Sequence, residues 1–208
     1  MSTDPSSVRQ HILDTGKAII TGKGYSAVGL NEILSAAGVP KGSFYHYFKS
    51  KELFGEAMLH DYVNAYLADL DTMLAANGTP AAARLMRYWA GWLAESGDEC
   101  AGCKCLVVKL SGEVADMSEA MRAALLNGTN QIVQRLAACI NEGQADGSIG
   151  AAAPAQHTAL ALYEMWLGAA LLTKLRREPS ALHGATRTTR TLLGLAEGDL
   201  IRAGASRQ

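Results

Sequence analysis

Three cysteines, Cys100, Cys103 and Cys105, fall within six residues of a chain that holds one more, Cys139. Sulfur at that density supports three chemistries. Thiolates at this spacing can hold Zn²⁺ or Cu⁺. Without a neighbouring histidine, though, a tetrahedral site is short of a ligand, to be supplied by Cys139, a distant histidine or a second subunit. Alternatively they are small buried thiols that pack like alanine, the reading preferred for Cys139, which lies among Ile132, Leu136 and Ile140. The third chemistry is redox or electrophile sensing. Lys104 flanks Cys103 and Cys105, and Gly102 marks a helix start that puts Cys105 in the first turn, where the positive end of the helix dipole favours an anion.

A lysine further along adds to this. Leu160, Glu164, Leu167, Leu171 and Lys174 recur at spacings of four, three, four and three, so they share one helix face, read here as a buried stripe. A buried lysine loses its charge readily or pairs with an acid or thiolate. Glu164 is ten residues from Lys174, roughly 15 Å along a helix, too far to be that partner. The alternative is that Lys174 snorkels to solvent at the helix end.

A second group of reactive types lies near the start. Gly38 to Lys51 carries Lys41, Lys49, Lys51 and His46 and no acid, a basic island in a chain of net charge −1. Residues 29–47 read as two short helices around a turn at Gly38, the geometry that seats a second helix in the major groove. Its outward face would carry Lys41, Ser43, Tyr45 and His46, with Gly42 leaving room for a phosphate or base edge. Phe44, Tyr47 and Phe48 would anchor it from behind.

The run from Ala37 through Phe54 resembles the recognition region of the TetR family, whose hallmark Gly-x-x-x-Gly-x-x-Tyr-x-Tyr-Phe-x-x-Lys-x-x-Leu is matched from Gly38 to Lys51, with Leu53 one residue ahead of its last position. The resemblance implies an all-helical homodimer with an N-terminal DNA-reading head and a ligand-responsive C-terminal domain. It implies that Lys41, Ser43, Tyr45 and His46 face double-stranded operator DNA and that Lys51 meets a phosphate. Gly29 stands where many relatives have a hydroxyl residue capping the second helix. The segments Cys105 to Arg122 and Leu167 to Lys174 are similar to the N-ethylmaleimide-reductase repressor branch, which responds to electrophiles and oxidants through cysteine. Cys105 is the matching thiol; Cys100 and Cys103 are additional to the pattern.

The elements that must position these groups follow from composition and punctuation. Apolar residues make up 49% of the chain and aromatics 6%, with alanine and leucine dominant, which favours packed helices. The expected fold is all-α with about nine helices: a three-helix helix-turn-helix domain over 1–50 and a sensing and dimerisation domain over 51–208. Ser50 should cap the fourth helix, which the Asn77-Gly78-Thr79-Pro80 cluster ends. Later helices are expected near 80–96, 103–114, 117–142, 155–177 and 180–196, the last two forming the dimer surface. No uninterrupted apolar run reaches the roughly eighteen residues of a membrane span, and the polar first ten residues lack a signal core, so a cytoplasmic protein is expected.

The expected function is a repressor released from a pseudo-palindromic operator when Cys105 is oxidised or alkylated. Lys174 lies nearby, and Cys100 or Cys103 serves as a resolving thiol. Two alternatives stay open: a noncovalent apolar inducer seated near Trp89, Trp92, Trp166 and Met86, and a metal response through Cys100, Cys103 and Cys105. No phosphate loop, dinucleotide fingerprint or persuasive His/Asp/Ser spacing is present, so no enzyme activity and no cofactor are expected.

Overall fold

The computed structural model describes residues 5–96, 99–100, 105–150 and 153–195. Among them run nine helices: α1 (Pro5–Lys23), α2 (Leu30–Ala37), α3 (Lys41–Tyr47), α4 (Lys51–Leu74), α5 (Ala81–Leu93), α6 (Leu106–Ala115), α7 (Glu119–Asp146), α8 (Ala155–Arg176) and α9 (Ser180–Leu192). Between α5 and α6, β1 (Glu95–Ser96) pairs antiparallel with β2 (Glu99–Cys100), a two-residue ladder too short to make a layer. The fold is all-helical, as the composition predicts.

The ends of the first helices are set by local chemistry. Gly24 N–H closes α1 on the Ile20 carbonyl at 2.8 Å. Gly38 takes a left-handed conformation (φ 64°), which lets its N–H cap the Leu34 and Ser35 carbonyls and turn the chain into α3. Ser50 Oγ accepts the Leu53 N–H at 3.0 Å, the expected cap of α4. Gly29 heads α2 with no side-chain cap, as its lack of a hydroxyl requires.

Later boundaries move by a few residues for identifiable reasons. Helix α5 stops at Leu93 because the next residues enter the β1–β2 ladder. Ser118 Oγ accepts the Met121 N–H at 3.3 Å, so α7 begins at Glu119. Helix α6 begins at Leu106, which leaves Cys105 immediately ahead of it rather than inside its first turn.

The chain forms two compact units. The first joins Met1–Tyr66 to Lys109–Thr129, so it is wider than the N-terminal helix-turn-helix. Its core holds Ile12, Leu13, Ile20, Ile33, Phe44, Phe54, Met58 and Leu59, each 0–1% exposed. Phe44, Phe48 and Phe54 meet edge-on or tilted, with centroids 5.2–5.6 Å apart. Each such ring contributes about 1.5–3 kcal/mol of burial, and all three lie within one short stretch of sequence.

The second unit comprises Leu67–Val108 and Asn130–Gln208. Its centre is aromatic: Trp89 of α5 stacks on Trp166 of α8 at 4.8 Å and 13°, with Tyr88, Trp92 and Tyr163 around them. Trp166 Nε1 donates to Thr189 Oγ1 of α9 at 2.9 Å, so α9 is held by a buried hydrogen bond as well as by packing. The buried Arg84 guanidinium donates to the Leu74 and Thr79 carbonyls and pairs with Glu142 at 2.6 Å, tying α4, α5 and α7 together.

One expectation about α8 is corrected. Its inward face is Ala155, Thr158, Ala159, Leu162, Tyr163, Trp166, Ala169, Ala170 and Thr173. The stripe read as buried faces outward instead: Leu160 is 43% and Leu171 47% exposed, Glu164 is exposed, and Leu167 and Lys174 are half-buried. Small residues line the inward face because the Trp89–Trp166 stack fills the space there. Leu160, Leu167 and Leu171 are left for the other side.

Candidate nucleic-acid interface and thiol region

Helix α3 has one face in the core and one in solvent. Phe44 is fully buried, whereas Lys41, Gly42, Tyr45 and His46 are exposed together, Tyr45 at 45%, and Ser43 is half-buried beside them. Lys41 Nζ sits 5.8 Å from the centre of the Tyr45 ring, so the cation and the phenol form one patch. Gly42 has nothing within 4 Å of where a Cβ would project, which leaves that point of the surface bare for an incoming ligand. Tyr47, read as an anchor, is only half-buried; its ring lies 4.8 Å from His46.

Lys51 is oriented differently from the α3 groups. Its ammonium donates to the Tyr25 carbonyl at 2.8 Å and lies 4.2 Å from the Tyr25 ring, while Tyr25 Oη donates back to the Lys51 carbonyl at 2.8 Å. Burial pulls the ammonium below its usual range, with Glu113 opposing that effect. The Tyr25 hydroxyl is pushed up to about 12 by burial and by Glu52 and Glu113, so it stays a neutral donor.

Glu113, absent from the sequence reading, organises this corner. Its carboxylate accepts the Tyr25 N–H at 3.0 Å and the Ser26 N–H on its other oxygen, capping the loop between α1 and α2. Burial pushes Glu113 up, but hydrogen bonds from Ser26 and Tyr25 and the charge of Lys51 outweigh it and hold the carboxyl below the usual carboxylate range. Lys109, one turn earlier on α6, donates to the Gly22 carbonyl at 3.0 Å. Beyond α6, Ser26 Oγ reaches Met117 Sδ at 3.1 Å, and Ser118 Oγ donates to Glu52 at 2.6 Å. The partners lie 66–91 residues apart, so no local pattern could have announced them.

Cys105 is half-buried directly before α6. Cys100 pairs through its backbone with Glu95; its side chain, and all of Cys103, lie outside the described residues. Lys174 is half-buried in the last turn of α8. Cys139 packs as expected: it is 1% exposed, its thiol points at the Ala81 carbonyl at 3.7 Å, and burial pushes it up to about 11. Among the described residues no group of three or more His, Cys, Asp or Glu side chains could hold a metal ion.

The three tryptophans pack on one another, with ring centroids 4.8–6.0 Å apart. Neither of two surface depressions, one lined by Arg9, Leu53, His60 and Asp61, the other by Thr79, Arg84, Glu142 and Ser148, includes them. Trp89 Nε1 is nevertheless buried without a hydrogen-bond partner among the described residues. No described helix is long and apolar enough to cross a membrane.

Comparison with known proteins converges on the same reading. Residues 12–58 match the model of bacterial regulatory proteins of the tetR family, and residues 81–189 match the tetracyclin repressor-like C-terminal domain. The chain is 37% identical to the HTH-type transcriptional repressor NemR of Escherichia coli over 177 residues, covering 85% of this chain and 89% of that one. It is 38% identical to the transcriptional regulator AcuR of Cereibacter sphaeroides, covering 89% and 84%. The crystal structure of E. coli NemR in its reduced form superposes with a TM-score of 0.84 at 34% identity, over 92% of this chain and 99% of that one. With its helix-turn-helix, its helical second unit and these relatives, the chain belongs to the TetR family of helix-turn-helix transcriptional repressors.

Proposed function

We propose that the protein binds operator DNA as a homodimer and leaves it when Cys105 is oxidised or alkylated. The observation that carries the DNA half is the exposed cluster of Lys41, Gly42, Tyr45 and His46, backed by the fully buried Phe44 on the same two turns. Ser43 completes the reading face and Lys51 supplies a phosphate contact with the N–H donors not used by Tyr25. In a dimer two such helices about 34–36 Å apart, or a multiple of that spacing, fit successive major grooves of a pseudo-palindrome. The outward leucines of α8 and α9, with Leu175 70% and Leu192 49% exposed, are the apolar surface such a dimer would cover.

The sensing half rests on place in the chain. Cys105 precedes the helix whose later turns carry Lys109, which bonds the last turn of α1, and Glu113, which holds the α1–α2 loop. A substituent on Cys105 is therefore built into the start of a lever roughly 15 Å long, at 1.5 Å per residue. Oxidation to a sulfenic acid, then capture by Cys100 or Cys103, or alkylation by a quinone or aldehyde, would bias α6 toward a DNA-incompetent arrangement. Lys174 serves as a nearby cation for the thiolate. The relatives named as repressors, NemR among them, support the repressor role, and the description of the E. coli NemR structure as a reduced form supports the redox reading.

A second reading keeps one supporting observation. The Trp89 indole N–H, without a partner among the described residues, is a donor that a noncovalent inducer with an acceptor group could use. One experiment separates the two. Operator gel shifts with Cys105→Ser, treated with a quinone or hypochlorite, should show retention of DNA under conditions that release the wild type. Release of the variant to the same extent would remove Cys105 from the mechanism.

A further inference from the structure

The corner where α6 meets α7 carries a second oxidisable sulfur. Met117 is 51% exposed in the Asp116–Ser118 turn, yet its thioether is not idle: Ser26 Oγ lies 3.1 Å from Sδ. Ser26 is also the residue whose N–H is capped by Glu113, and its hydroxyl hydrogen-bonds to that carboxylate as well. One hydroxyl proton is thus shared between a weak sulfur acceptor and a strong carboxylate acceptor.

We propose that Met117 is an oxidant-modified site, whose conversion to the sulfoxide changes how the α1–α2 loop is held and so weakens operator binding. The co-reactant is a two-electron oxidant of the hypohalous acid class. A sulfur lone pair attacks the oxygen of HOCl, the S–O bond forms as the O–Cl bond breaks, chloride leaves and the proton goes to water. Sulfur is oxidised by two electrons and chlorine reduced by two. Oxygen added on the lone pair facing Ser26 would sit inside the present 3.1 Å gap, so the loop must withdraw. Oxygen added on the other lone pair gives a far stronger acceptor than a thioether, which competes with Glu113 for the Ser26 proton. Either product remakes the contact that precedes α2.

The route is independent of Cys105, and the test is built to show that. A full-length protein carrying Cys100→Ser, Cys103→Ser, Cys105→Ser and Cys139→Ala is treated with limiting hypochlorite, digested and mapped by mass, and assayed by operator gel shift. Met117 should gain one oxygen early, and operator affinity should fall about fivefold or more relative to the untreated protein. The same background with Met117→Leu should keep its affinity after treatment, Met73→Leu at the other methionine exposed among the described residues should not protect, and methionine sulfoxide reductases should restore binding. The proposal is overturned if Met117 stays unmodified while Met73 is oxidised, if the modified protein binds operator as tightly as before, or if Met117→Leu loses affinity equally.

Discussion

The corner around Glu113 and the aromatic centre around Trp166 solve opposite problems. At Glu113 a partly buried carboxylate, two backbone N–H groups, a lysine and a thioether meet at the edge of solvent, in contacts each worth little more than a hydrogen bond. At Trp166 five aromatic side chains pack on one another; Trp166 Nε1 is paired with Thr189 Oγ1, and Trp89 Nε1 is buried without a partner among the described residues. A dry aromatic stack resists rearrangement because any opening leaves a void. A polar junction exchanges partners at low cost because water and neighbouring donors replace what is lost. Under the proposed release mechanism, a region of the first kind supplies stability and one of the second kind supplies the movement.

The largest break in that comparison is Trp166→Ala. It removes a ring with no exposure, the stack on Trp89 and the bond to Thr189, and should cost about 3–5 kcal/mol, read as a lower denaturation midpoint at unchanged slope. A loss under 1 kcal/mol would mean that the aromatic centre is not a packed core.

Next comes the reading face. Tyr45→Ala should weaken operator binding by about 1–3 kcal/mol with little effect on random duplex, whereas Lys51→Ala should weaken both and lower the salt slope by roughly one. Because Lys51 also braces Tyr25, its variant should in addition lose some thermal stability; Tyr45→Ala should not.

Glu113→Gln sharpens the polar side. The carboxyl is held below the usual carboxylate range in the folded chain, so its contribution is present above the unfolded pKa of about 4.3 and is lost as pH falls through the lower folded value. The wild type should therefore exceed the variant in stability at neutral pH by about 1–2 kcal/mol, and the gap should close in urea titrations run at successively lower acid pH. A gap constant from pH 7 to 3 would show that shape, rather than charge, is what Glu113 supplies.

The smallest effect is the most discriminating. Gly42→Ala adds a methyl that meets nothing in the protein and improves helix propensity, so thermal stability should hold or rise by about 0.5–1 kcal/mol. A drop in operator affinity in that same variant would come from DNA pressing on the bare surface. Unchanged affinity would place the backbone of α3 away from the duplex at Gly42.

The two regions also differ in how much of them can be read along the chain. Phe44, Phe48 and Phe54 lie close in sequence, and so do Gly38, Pro40 and Ser50; spacing alone predicts that α3 packs one face and offers the other. The α8 stripe shows the limit. Leu160, Leu167 and Leu171 have the same period as the true inward face, and periodicity cannot tell which of two apolar sides meets the core. The Trp89–Trp166 stack decides it by filling the space that small residues leave.

The amino-acid sequence by itself determined the order of the helices, the caps at Gly38 and Ser50 and the exposed face of α3, because each depends on side chains a few residues apart acting on their own backbone. It also marked Cys105 as the thiol beside a helix start. Only the tertiary structure decided that Lys51 turns toward Tyr25, that Glu113 caps the α1–α2 loop and that Met117 touches Ser26. Those contacts join groups 26 to 91 residues apart, and their existence depends on where whole helices come to rest.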